Sequence, residues 1–175
     1  MCIKRKRGER VFSIGDKVVY PVHGAGIIEG IEVKEILGEE KSYYILRIYL
    51  DNMCVMVPVD AAETIGMRSI IAPEEVKEVI EVFRSAEPGL MENWNKRYRA
   101  NMEKIKSGDI CQVAEVVRGL MRRHISGSLS SGERRMLDYA RKILVSELML
   151  TNDEDEDQTN SLLEKALTAS PGQQA

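Results

Sequence analysis

The period of the apolar residues changes once along this chain, and that change divides it into a sheet-forming half and a helical half. The first half carries short runs of β-branched and aromatic residues. "KVVYPVHG" holds Val18, Val19 and Tyr20 and is closed by Pro21 and Gly24. In "AGIIEGIEVKEILG", Ile27, Ile31 and Val33 alternate in one phase and Ile28 and Ile36 in the other. "KSYYILRIYL" and "MCVMVPV" read as further strands, the second stopped by Pro58. Gly24 and Gly26 are expected at turns or bulges, and "GEEK" at 38–41 as a hairpin loop. About four or five short antiparallel strands of this kind make a small curled barrel.

From Pro73 onward the apolar spacing becomes three and four. Pro73 suits a first helical position, with acids in the first turn, and Val76, Val79, Ile80 and Phe83 share a face. Glu87, Pro88 and Gly89 break the chain. Asn93 can cap a helix running to about Lys106, and Asp109 can cap the next. That second helix carries Ile110, Val113, Val116, Val117, Leu120 and Met121 as a stripe. Ser130 and Glu133 have capping-box spacing and open a helix to about Met149. Its buried face is Met136, Leu137, Ala140, Ile143, Leu144 and Leu148. "TNDEDEDQTN" reads as an acidic linker or cap before a last helix at about 158–169, with Leu162, Leu163, Ala166 and Leu167.

The formal net charge of -3 hides strong segregation. Residues 1–10 carry five Lys/Arg against one Glu, whereas 11–91 carry seven against fourteen acids. Residues 92–146 carry twelve Lys/Arg against six acids, and 147–175 carry one Lys against seven. A basic block between acidic ones suggests two modules with different partners. No apolar run approaches the roughly 18 to 20 residues that span a bilayer, and the basic start is not followed by an apolar stretch. The odd count of widely spaced cysteines, Cys2, Cys54 and Cys111, argues against a disulfide framework and for a reducing cytoplasm.

Signs of catalysis are absent from the pattern. His23 and His124 lie far apart, with no metal-ligand or nucleophile spacing around them, so neither a metal nor a cofactor is expected. "GAGIIEG" has strands on both sides and no helix after it, which excludes a dinucleotide fingerprint. An enzyme is therefore the third reading, behind a nucleic-acid binder and a protein-interaction adaptor.

"NWNKRYRANMEKIKSGD", residues 93–109, is more informative, because it holds the one tryptophan. With a helix starting at Asn93, Trp94 and Tyr98 lie on one face and Lys96, Arg97 and Arg99 follow at once. The plain alternative is a buried aromatic pair with cations facing water, and Tyr98 is read that way. Trp94, at a helix start beside the "AEPGLMEN" loop, is expected to be partly exposed. An exposed indole among cations can stack on or wedge between bases while the cations hold phosphates. Arg134 and Arg135 flank a second helix start, where the amides of Ser130, Ser131 and Gly132 offer a phosphate seat.

These segments resemble the CarD/CdnL family of bacterial transcription regulators. The resemblance runs from about Val11 to Leu167. It rests on "GDKVVYPVHGAGIIEGIE" and "MVPV" in the first half. In the second half it rests on "NWNKRYRANMEKIKSGD", "VAEVVRGL" and "LSSGERRMLDYARKILVSEL". It implies an α+β chain of two domains, a small Tudor-like antiparallel β-barrel followed by a compact all-helical domain. The expected division is a basic tail at 1–10, a polymerase-interacting domain at 11–70, a helical DNA-interacting domain at 71–169 and a tail at 170–175. The implied partners are the RNA polymerase β subunit and promoter DNA, met in the minor groove near the -10 element, and the free protein is expected to be a monomer. By the same resemblance Trp94 is a wedge at the upstream edge of the transcription bubble, supported by Lys96, Arg97 and Arg99. The polymerase-facing positions map to Lys34, Ile36 and Met56. Some family members have arginine where this chain has Met56, so an apolar contact is expected to replace an ionic one. The short acidic tail matches the shorter CdnL type.

Overall fold

The computed structural model describes residues 12–21, 23–86 and 93–169. The basic tail at 1–10, the Glu87-Pro88-Gly89 break and the tail at 170–175 lie outside the described residues. The chain divides into two compact units between Ile70 and Ile71. An antiparallel sheet fills the first and helices fill the second, an α+β layout that follows from the single change of apolar period.

Five strands build the first unit: β1 (Lys17–Tyr20), β2 (Gly24–Ile36), β3 (Glu39–Ile48), β4 (Cys54–Pro58) and β5 (Arg68–Ser69). Their order in the sheet is β4-β3-β2-β1-β5, with every pair antiparallel. One face packs Val18, Ile28, Tyr44, Leu46, Ile48 and Val57 together with Phe12 and Met67. The buried Tyr44 hydroxyl accepts the Phe12 N–H at 3.1 Å, which gives that phenol a partner. Pro58 ends β4 and the chain turns through Val59–Ala61 into the short helix α1 (Ala62–Ile65).

Three details depart from the strand-by-strand expectation. The β2–β3 connection is the two-residue turn Leu37–Gly38, and Glu39–Lys41 belong to β3. Both turn residues have positive φ, 55° and 81°, the requirement of a hairpin turn that matches strand twist. A leucine gives no hint of that backbone, so local sequence alone places the loop at 38–41. Gly24 does take a positive φ of 93°. Gly26 sits at neither a turn nor a bulge. A Cβ there would run into the Arg47 carbonyl, so its lack of a side chain lets β2 approach β3. The bulge falls between Ile28 and Gly30.

Five longer helices make the second unit: α2 (Val76–Arg84), α3 (Trp94–Lys106), α4 (Ile110–Ile125), α5 (Ser131–Asn152) and α6 (Glu156–Thr168). Pro73 opens a 3-10 turn, Pro73–Glu75, ahead of α2 rather than α2 itself. Asn93 and Asp109 cap α3 and α4 through the Lys96, Cys111 and Gln112 amides. The acidic stretch is mostly helical. α5 runs on to Asn152, and Asp155 caps α6 through the Gln158 amide at 2.8 Å. α5 packs on both α4 and α6, and α2 on the same two. All six residues expected on the α4 stripe and all six on the α5 face are buried. Near its end α5 becomes buried all round, including Ser146 and Glu147. Glu147 accepts the Ile71 N–H at 3.0 Å, which gives the buried carboxylate a partner.

Arg118 and Arg122 show how the basic block is partly consumed by the fold. Arg118 is buried on α4 and donates to the Val82 carbonyl at 2.7 Å and to Ser85 Oγ. Arg122 donates to the Ser85 carbonyl at 3.1 Å. Together they satisfy acceptors at the carboxyl end of α2, where cations are favoured.

Candidate nucleic-acid interface

Trp94 is the first residue of α3 and is 43% exposed, unusual for a tryptophan in a folded domain. One face stacks on Tyr98, with ring centroids 5.3 Å apart and 29° between the planes. Its Nε1–H donates to Ser130 Oγ at 3.2 Å. Its Cζ2 edge lies where a Cβ on Gly132 would stand at 3.4 Å. The indole thus sits across the start of α5 with the remainder of its surface in solvent. Tyr98 is half-buried, as its place beneath the indole requires.

The cations around Trp94 divide into two sets. Lys96, Arg99, Arg134 and Arg135 are exposed. Lys96 and Arg99 follow the indole on α3, and Arg134 and Arg135 lie in the first two turns of α5, beyond Gly132. Arg97 turns inward. Its Nε donates to Glu133 Oε1 at 2.9 Å and a terminal nitrogen lies 2.8 Å from the same oxygen. Glu133 is only 2% exposed, and Arg123 Nε stands 3.5 Å from it. The Ser130 amide, counted in the sequence as part of a phosphate seat, donates to Glu133 Oε2 at 3.1 Å. Nothing in the spacing of Arg97 distinguishes it from Lys96 or Arg99, whereas the Ser130–Glu133 pair is readable as a capping box.

Burial works against a charge on Glu133, but hydrogen bonds from the Ser130 amide and hydroxyl and from Arg97 outweigh it and hold the carboxyl below its ordinary 4.5. Glu133 is therefore an anion at neutral pH, and the cations left exposed on α3 and α5 are Lys96, Arg99, Arg134 and Arg135.

The other residues singled out in the sequence lie in the sheet. Cross-strand pairs Gly30–Ile45, Glu32–Tyr43, Lys34–Lys41 and Ile36–Glu39 put Lys34 and Ile36 on one face with Ile45, and Met56 pairs with Ile45. All three candidates thus share the face opposite the Tyr44–Leu46 core. Ile36 and Met56 are 45% and 44% exposed, and Lys34 pairs with Glu32 at 3.2 Å. They do not form a tight cluster. The Ile36 and Met56 rows meet β3 at Glu39 and Ile45, six residue steps apart, about 20 Å at strand rise. Leu37, at the hairpin tip, is 99% exposed.

Among the described residues no group of His, Cys, Asp and Glu is placed to hold a metal ion, and no helix is long and apolar enough to cross a membrane. Burial, with Asp109 next, raises the Cys111 thiol above its ordinary 9.0, which disfavours a reactive thiolate.

Two family profiles match this arrangement in order. The CarD-like/TRCF RID domain covers residues 12–71, and the CarD C-terminal domain covers 78–164. YdeB of Bacillus subtilis (strain 168), a candidate transcription factor, is 41% identical over 151 residues, 86% of this chain and 99% of its own. The chain belongs to the CarD family. Among solved structures, the 72-residue N-terminal domain of Myxococcus xanthus CarD is similar at 37% identity, covering 33% of this chain and 76% of that one, with a TM-score of 0.29. In this CarD-family chain the first profile ends beside the division between the two units, and the second takes in α3, α4 and α5 with the whole Trp94 surroundings.

Proposed function

We propose that this CarD-family chain is a transcription regulator that docks on the RNA polymerase β subunit and stabilises the promoter open complex through a tryptophan wedge. The carrying observation is Trp94, the one indole of the chain, 43% exposed and braced on Tyr98 and Ser130. A braced, exposed ring can enter a distorted minor groove and hold an unstacked step apart. Lys96, Arg99 and Arg134 act on phosphates, which position the ring without reading sequence. Arg97 belongs to the site as the strut that ties α3 to Glu133. The sheet supplies the polymerase contact through Lys34, Ile36 and Met56. Membership of the CarD family and the RID-type match over residues 12–71 support this reading of the sheet.

The test is a photocrosslinker placed at residue 94 in a polymerase–promoter complex. A crosslink to DNA at the upstream edge of the bubble is expected. Crosslinks confined to protein would favour an adaptor that recruits a partner to polymerase without touching DNA.

A further inference from the structure

We infer that Ser130 and Glu133 are positioning residues for the Trp94 indole, holding the ring in its exposed orientation before DNA arrives; this rests on the wedge reading above. The geometry is a relay with one direction. Ser130 Oγ has one proton, and it goes to Glu133 Oε2 at 2.9 Å, since an ionised carboxylate only accepts. That leaves the hydroxyl lone pairs for the two donors that reach it, Trp94 Nε1–H at 3.2 Å and the Glu133 N–H at 3.3 Å. The carboxylate thus decides which way the hydroxyl points, and the hydroxyl decides where the indole edge rests.

A helix cap alone accounts for the reciprocal Ser130–Glu133 bonds. It does not account for an indole N–H aimed at the capping oxygen, or for an arginine three residues after Trp94 bound to the capping carboxylate. Arg97 fixes the first turns of α3 to Glu133 while Ser130 fixes the ring, so backbone and ring are held by one anion. Tyr98 covers one face of the indole, and stacking alone is compatible with the ring sliding across that face. The bond to Ser130 removes that freedom. A ring ordered in advance loses less rotamer entropy on insertion.

The single tryptophan makes this measurable, because its fluorescence reports residue 94 alone. Trp94→Ala, Ser130→Ala, Ser130→Thr and Glu133→Gln would be compared in the full chain, at a temperature where circular dichroism shows each folded. Fluorescence anisotropy decay of the three variants that keep the indole, and open-complex lifetime for all four, are the readouts. Ser130→Ala and Glu133→Gln should add fast local motion to the indole. They should shorten the lifetime about 2- to 10-fold, the range set by ordering one side chain. Ser130→Thr, which keeps the hydroxyl, should restore both. Unchanged anisotropy in Ser130→Ala overturns the inference, as does a loosened ring with an unchanged lifetime. In either case a short lifetime for Trp94→Ala leaves the wedge standing. If Trp94→Ala itself leaves the lifetime unchanged, the wedge falls and the positioning role with it.

Discussion

At the scale of single residues, Trp94 and its neighbours make opposite demands on stability and activity. Trp94→Ala removes a stack on Tyr98 and one hydrogen bond from a ring that is 43% exposed. Folding stability should drop by about 1–2 kcal/mol, short of the roughly 3–5 kcal/mol of a core tryptophan. Open-complex lifetime should fall about 5- to 150-fold, matching about 1–3 kcal/mol of stacking. Melting temperature and lifetime on one protein sample decide it: a stability loss of core size would remove support for the wedge. The cations separate in the same manner. Neutralising Lys96, Arg99 or Arg134 should leave melting unchanged and lower the salt dependence of DNA binding by about one unit of slope per phosphate contact. Arg97→Gln should instead destabilise the helical unit by on the order of 2 kcal/mol, because it strips a partner from the buried Glu133 carboxylate.

Glu133 also sets a pH dependence. Its folded pKa lies below 4.5, so its stabilising contribution is complete above 4.5 and is lost as pH falls through the folded value. The melting-temperature gap between the natural chain and Glu133→Gln should be widest near neutrality and close as the solution is acidified below pH 4.5. A gap that stays constant down that range would contradict the ionised assignment.

Among the elements, the β2–β3 hairpin and α5 carry most of the functional argument. The hairpin projects Ile36 and the fully exposed Leu37, the latter at a φ of 55° that a branched side chain rarely adopts. Ile36→Glu puts a carboxylate on the outer face opposite Glu39, where like-charge repulsion costs the free protein at most about 1 kcal/mol. In a desolvated contact it should cost several kcal/mol. A pull-down with the polymerase β lobe should weaken strongly while the melting temperature falls by no more than about 4–8 °C. Undiminished capture would move the contact to another face of the sheet. In α5 the first turn serves Trp94 through Ser130, Gly132 and Glu133, and the last turns are buried all round. One helix therefore joins the candidate site to the core of its unit, so that a fixed frame stands behind the exposed ring.

For the whole molecule, the sheet unit and the helical unit, which carries the basic 92–146 block, need not each bind tightly. Tethering the helical unit at a promoter through polymerase raises its effective concentration there, to about millimolar for a short link. Binding to free duplex should therefore be weak and salt-sensitive, and engagement of a polymerase–promoter complex much stronger. Equal affinity with and without polymerase, measured by fluorescence anisotropy of labelled DNA, would exclude the tethered mechanism.

The sequence by itself determined the elements. Apolar period separates strands from helices because a sheet buries every second side chain and a helix every third or fourth. Caps were equally legible at Asn93, Asp109 and Ser130, since a short polar side chain before an apolar stripe has few other places to put its oxygen. The half-exposure of Trp94 was foreseeable from its place at a helix start. Tertiary structure alone decided which cations face solvent. Lys96, Arg97 and Arg99 are alike in one dimension, and only the arrival of Glu133 from 36 residues further along draws Arg97 inward. It also decided that Met56 joins Lys34 and Ile36, which alternate within β2, on one face, because that depends on a turn at Leu37–Gly38 and on the pairing of Met56 with Ile45, which local propensity did not reveal. Pairing over long separations is set by what the core accepts, and no single segment contains that information.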